Sequence, residues 1–95
     1  YRPAAPHGAY RCAGEDRWLA IACFEEVEFA ALARLAGRAG WLDDPRFATL
    51  AARLANQDAL DAAVTEWTRG QDAHAAMLAL QAAGVPAGVC QDAED

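Results

Sequence analysis

Ala9-Tyr10-Arg11-Cys12-Ala13-Gly14-Glu15-Asp16-Arg17-Trp18-Leu19-Ala20-Ile21-Ala22-Cys23 is the stretch whose reading decides the fold. Two short apolar runs, 9–13 and 17–23, flank Gly14-Glu15-Asp16, a glycine followed by acidic turn residues that favour reversal of the chain. The two-residue period places Tyr10 and Cys12 on one face of the first strand, and Leu19, Ile21 and Cys23 on one face of the second. The stretch predicts an antiparallel β-hairpin with one face turned to a core.

C-terminal to the hairpin the period lengthens to that of a helix. Phe29, Leu32, Ala33 and Ala36 recur at i, i+3, i+4 and i+7, with Glu25, Glu26 and Glu28 in the first turn and Gly37 at the end. Asp43-Asp44-Pro45 then predicts a second helix, capped by an acid with proline at its first position, whose stripe is Phe47, Leu50, Ala51 and Leu54. Asn56 is placed to stop that helix and cap a third, with Leu60, Ala63, Val64 and Trp67 inward and Gly70 at its close. Asp72 caps a fourth, which carries Ala73, Ala76, Met77, Leu80 and Ala83 and ends at Gly84 in a left-handed conformation. Residues 85–90 predict a third strand, for which Pro86 favours an edge position or a paired position that needs no N–H. The fold class is therefore α+β: a small three-stranded antiparallel sheet, hairpin 9–13/17–23 plus a strand near 85–90, covered by about four helices.

N-terminal to the hairpin, residues 1–7 contain Pro3 and Pro6 and no periodic pattern, which predicts an extended lead-in linker. At the other end, residues 91–95 resemble the first turn of a further helix. With no initiator methionine, the two ends together suggest an excised domain.

Ninety-five residues suit one domain, of a size that buries about 60 to 65% of its unfolded surface. Alanine supplies much of the 55% apolar content, so the few bulky side chains carry the core. The net charge is −6, with no lysine and eight arginines spread singly; no basic stripe exists for phosphates, which argues against nucleic acid as a partner. No apolar run approaches a membrane span, and Tyr1-Arg2-Pro3-Ala4 lacks a secretion signal, so a cytoplasmic setting without a membrane partner is expected. Cys12, Cys23 and Cys90 form no C-x-x-C pair, and they read as small apolar fillers in a reducing compartment.

No constellation of residues locates an active site. His7 and Cys12 could form a base and thiol pair, but the only nearby positive charge is Arg11. His74, His7 and the scattered carboxylates have no metal-ligand spacing. The acidic clusters all fall at helix starts, where free N–H groups and the helix dipole account for them. Trp18, Trp41 and Trp67 could stack bases only beside a positive groove, which this chain lacks, so they read as packing residues.

Six runs carry more specific information when taken in order: Pro6-His7-Gly8-Ala9-Tyr10-Arg11-Cys12; Gly14-Glu15-Asp16-Arg17-Trp18-Leu19-Ala20-Ile21-Ala22; Asp44-Pro45-Arg46-Phe47; Arg53-Leu54-Ala55-Asn56; Trp67-Thr68; and Leu80-Gln81-Ala82-Ala83-Gly84-Val85-Pro86-Ala87. In these runs the chain resembles the small domain of family III CoA-transferases, the CaiB/BaiF or carnitine dehydratase group. The resemblance implies that residues 1–95 are a small domain set against a larger nucleotide-fold domain, in subunits that interlock as rings. It implies an activity transferring CoA between carboxylic acids through acyl anhydride and glutamyl- or aspartyl-CoA thioester intermediates on an aspartate of the large domain. None of Asp16, Asp43, Asp44, Asp58, Asp61, Asp72, Asp92 or Asp95 inherits that role, so no catalytic residue is expected here and the chain alone should be inactive.

The partners so implied are the rest of the parent enzyme, its dimer mate and an acyl-CoA thioester bound as substrate, with no resident cofactor and no metal. Some members close a glycine-rich loop over the thioester. The corresponding residues 3–8 hold only Gly8, and Pro6, His7, Gly8 and Tyr10 are the candidates to face the substrate. Two other readings stay open: a free-standing protein-interaction module, and the small domain of a related 2-methylacyl-CoA racemase.

Overall fold

The computed structural model describes residues 3–14 and 17–90. Strands β1 (His7–Arg11), β2 (Trp18–Ala22) and β3 (Ala87–Cys90) form one antiparallel sheet in the order β1-β2-β3. Four α-helices lie between β2 and β3 in the chain: α1 (Glu26–Leu35), α2 (Leu50–Ala55), α3 (Gln57–Thr68) and α4 (Ala73–Ala82). The expected α+β class, with its hairpin and edge third strand, is what the chain adopts. Glu15 and Asp16 at the centre of the hairpin turn, and residues 91–95, which resemble a helix start, lie outside the described residues.

The period-two reading places the core correctly. Tyr10, Cys12, Leu19, Ile21 and Cys23 are buried on one face of the sheet, against Phe29, Leu32, Leu60, Val64 and Leu80 from the helices. Helix α3 packs on β1, α4 on β2 and β3, and α1 on α4. Each of these large side chains contributes on the order of 2 to 5 kcal/mol against truncation to alanine.

Strand β1 begins two residues earlier than the apolar pattern suggests. The Pro6 carbonyl accepts from the Cys23 N–H at 2.9 Å, and the Ala5 N–H donates to the Cys23 carbonyl at 3.0 Å, so the pairing starts beside the proline. At the far end the Ala13 N–H leaves the sheet to donate to the Gln71 carbonyl at 3.0 Å, ending the strand early. Ala4, Ala5 and Pro6, within the stretch read as a lead-in linker, are buried.

Glycine ends two helices as expected. Gly37 has φ +70 and Gly84 φ +88. At Gly84 the N–H donates to the Gln81 carbonyl at 3.0 Å and the Val85 N–H to the Leu80 carbonyl at 2.9 Å, with Val85 and Leu80 both buried. This is the paired Schellman ending, and it turns the chain directly into β3. Asp72 caps α4 through its carboxylate, which accepts from the Ala75 N–H at 2.9 Å. At α1, Glu28 reaches back to accept from the Glu25 N–H at 2.9 Å.

The second helix departs from the expectation. A helix starting at Asp44-Pro45 does not form, because the Asp44 carboxylate is taken by Arg46, accepting from its backbone N–H at 2.9 Å and from its guanidinium at 2.8 and 3.1 Å. That local bond favours a turn over helix propagation. Helix α2 begins at Leu50, where Thr49 Oγ1 accepts from the Ala52 N–H at 3.1 Å. Of its expected stripe, Phe47 is buried, Leu50 and Leu54 are half-buried and Ala51 is exposed; the inward position belongs to Arg53. Asn56 separates α2 from α3, yet its side chain caps neither N-terminus: its Nδ2 donates back to the Ala52 carbonyl at 2.8 Å.

Arg53 is 1% exposed and joins three segments. Its Nε donates to the Ala5 carbonyl at 2.9 Å, Nη1 to the Phe47 carbonyl at 2.9 Å and Nη2 to Glu26 Oε2 at 3.1 Å. Its guanidinium also lies 4.2 Å from the centre of the Phe29 ring. The segment ahead of β1 is thus clamped to the helices by an arginine inside the core.

Candidate functional site

Strand alternation divides the four candidate residues between two sides. His7 is exposed on the outer face of the sheet, while Tyr10 is buried on the helix side, where its hydroxyl donates to Asp61 Oδ1 at 2.8 Å. Gly8 lies on the same side as Tyr10: a Cβ there would stand 3.5 Å from the phenol oxygen. Pro6 is buried at the start of the ladder.

Two depressions meet at His7. A cleft of about 130 Å³ is lined by Ala4, Ala5, Pro6, His7, Gln57, Leu60 and Asp61. On the other side a shallow groove of about 240 Å³ is lined by His7, Ala20, Ala22, Pro86, Ala87 and Gly88. The cleft brings Pro6 and His7 together with Gln57 and Asp61, two residues that the sequence pattern did not single out because they lie on the polar side of α3. The groove has a different character: every lining residue but His7 is small or apolar, and the His7 ring stands 6.2 Å from that of Phe24.

The reactive groups of the core are held protonated. Burial pushes the Tyr10 phenol up, and the hydrogen bond to Asp61 adds to the effect. Burial likewise raises the Cys23 thiol from 9.0 to about 12, assisted by the charge of Glu28. Cys12 is raised too, first by burial and then by Asp72, and its Sγ donates to the Tyr10 carbonyl at 3.7 Å. His7 points away from Cys12 across the sheet, so the two form no imidazole–thiol pair. His74 is exposed on α4. Trp41 and Trp67 are buried in packing, Trp41 stacked on Phe29 at 6.2 Å, and Trp18 lies half-buried under Arg11 on the outer face. Among the described residues, no group of three or more His, Cys, Asp or Glu side chains converges on a point where a metal could sit, and no helix is long and apolar enough to cross a membrane.

The sequence profile of CoA-transferase family III matches residues 2–95. The chain belongs to that family. Among its family III relatives, a probable CoA-transferase of Mycobacterium tuberculosis, Rv1866, is 40% identical over 82 residues, which is 86% of this chain and 10% of the relative. The succinyl-CoA–D-citramalate CoA-transferase of Chloroflexus aurantiacus is 34% identical over 84 residues, covering 88% of this chain and 21% of that enzyme. A crystal structure of a CAIB/BAIF family protein from Brucella suis superposes with a TM-score of 0.85 at 34% identity, over 93% of this chain and 23% of the other. That of Rv3272 from M. tuberculosis gives 0.83 at 27% identity, over 90% and 23%. The family III chain described here therefore spans between a tenth and a quarter of the length of these relatives.

Proposed function

We propose that this chain is the small domain of a longer acyl-CoA:carboxylate CoA-transferase, that it holds no catalytic residue of its own, and that it completes the acyl end of the parent's active site and contributes to its dimer. The observation that carries this reading is the asymmetry of the matches: nearly all of this chain aligns, against 10 to 23% of each relative. Chemistry on an aspartate of the longer chain leaves this part the task of shaping the cleft and excluding water from a hydrolysable thioester. CoA is then a substrate and not a resident cofactor, and the enzyme works in the cytoplasm.

The His7 groove suits that task. Its small apolar lining of Ala20, Ala22, Pro86, Ala87 and Gly88 accepts a short acyl chain, and His7 at the rim supplies one polar contact. Tyr10 and Cys23 do not compete as nucleophiles, because burial keeps each protonated at neutral pH. One curated relative is named a succinyl-CoA–D-citramalate CoA-transferase and the other a probable CoA-transferase, which favours transfer over racemisation for the parent.

The test is His7→Ala in the full gene product, assayed with a panel of CoA esters and carboxylate acceptors. Because His7 is exposed, the fold should be retained while kcat/KM falls on the order of tenfold, the scale expected when a group that positions substrate is removed. Gln57→Ala, on the other cleft, should leave kcat/KM unchanged. Unaltered kinetics in His7→Ala would remove the groove from the active site.

A further inference from the structure

The His7 and Phe24 rings, 6.2 Å apart beside the groove, come from two separate segments of the chain, and one buried side chain holds both segments. His7 lies two residues after Ala5, and Phe24 two residues before Glu26. Arg53 donates to the Ala5 carbonyl through Nε at 2.9 Å and to Glu26 Oε2 through Nη2 at 3.1 Å. Its Nη1 is tied to the Phe47 carbonyl, and Glu26 Oε2 also accepts from the Leu50 N–H at 3.1 Å. Arg53 is itself inside the core, 1% exposed, and takes no part in lining the groove.

The strand ladder joins the same two segments at Cys23, whose carbonyl accepts from the Ala5 N–H and whose N–H donates to the Pro6 carbonyl. Both bonds fall on one residue, so they act as a hinge about which the chain beyond can swing. Arg53 supplies a second attachment away from that hinge, and two attachments fix an orientation that one leaves open. Filling this inward position of α2 does not require a charge, since an unbranched apolar side chain packs there without the cost of desolvation. What the guanidinium adds is direction, because its planar fork holds its acceptors at set angles.

We infer that Arg53 is a positioning residue for the transfer reaction, which sets His7 at the rim of the acyl groove by fixing Ala5 ahead of it and Glu26 beyond Phe24. This rests on the reading that the His7 groove receives the acyl group in a longer CoA-transferase. The action of Arg53 on the reaction passes through His7.

A double-mutant cycle in the full gene product tests this. Wild type, His7→Ala, Arg53→Lys and the pair are each assayed for kcat/KM with one CoA ester and one carboxylate acceptor, and for stability by urea unfolding. An ammonium cannot hold three acceptors in a fork, so Arg53→Lys should lower kcat/KM roughly fivefold, within the loss expected for removing His7 itself. In the His7→Ala background the same change should lower kcat/KM less than about twofold, while its loss of stability is the same in both backgrounds. A smaller folded fraction or a general distortion moves both backgrounds equally and cannot produce that pattern. Glu26→Ala removes the Arg53 and Leu50 bonds at an exposed residue and serves if Arg53→Lys fails to fold. It should lower kcat/KM about threefold, and only where His7 is present. Equal falls in both backgrounds, or an unchanged kcat/KM in Arg53→Lys beside a reduced one in His7→Ala, overturn the positioning role and leave the groove reading standing. Wild-type kinetics in His7→Ala overturn both.

Discussion

Replacing Arg53 by methionine should cost the fold about 3 kcal/mol. The two bonds from its guanidinium to the buried Ala5 and Phe47 carbonyls, both 2.9 Å, are charge-assisted and worth about 1.5 to 3 kcal/mol each. The pair with Glu26 adds less than about 1 kcal/mol, because that carboxylate side chain is 61% exposed. Against these terms stands the desolvation of a charge that methionine need not bury, together with apolar packing on Phe29 that methionine partly keeps. A domain of this length has roughly 5 to 14 kcal/mol of stability, so the loss is a large fraction of the whole. Equilibrium urea unfolding, followed by circular dichroism and tryptophan fluorescence, measures it. Arg53→Lys should fall between the wild type and Arg53→Met, since an ammonium cannot span three acceptors in a fork. Glu26→Gln should cost less than about 1 kcal/mol. A loss below about 1 kcal/mol in Arg53→Met, or an equal loss in Glu26→Gln, would refute the assignment of the clamp to the carbonyl bonds.

Gly84→Ala should lower stability by about 1 kcal/mol, seen as a fall of roughly 4 to 8 °C in Tm, because the left-handed backbone and not a clash sets the cost. Gly84 has φ +88 with nothing within 4 Å of a built Cβ, so an unchanged Tm would contradict the helix ending described above. Alkaline pH should unfold the domain early: the unfolded chain releases the Cys23 proton near 9.0 and the folded chain only near 12, so stability is complete below about pH 9 and is lost as pH rises. Cys23 alone should account for about 2 kcal/mol by pH 10.5, with Cys12 and Tyr10 acting in the same direction. Urea melts of the wild type and Cys23→Ala at pH 8 and above 10 check this, and parallel losses in both proteins would count against it.

The elements that could be read from the sequence are those whose signals are local. Alternation fixed which side of β2 faces the core, and Gly84 and Asp72 marked the ends of α4, because a left-handed residue and a capping carboxylate act on their immediate neighbours. The second helix misled because Asp44-Pro45 is a helix start only while the carboxylate is free, and Arg46 takes it. Arg53 was invisible as a core residue for the opposite reason. Its partners lie 48, 6 and 27 residues away, and only the folded chain brings them together. An arginine at an inward position between Leu50 and Leu54 was the one available hint. The candidate site was half legible: Pro6 and His7 lie at real depressions, but parity sends Tyr10 to the helix side, where it bonds Asp61.

The most direct test of the central claim is a paired transfer assay with an acyl-CoA donor and a free carboxylate acceptor. The full gene product should produce the new CoA ester, and the 95-residue chain at the same molar concentration should produce none above the uncatalysed rate. Turnover by the 95-residue chain alone would place an active site within these residues, and failure of the full product across the whole panel of donors and acceptors would contradict the transferase reading itself.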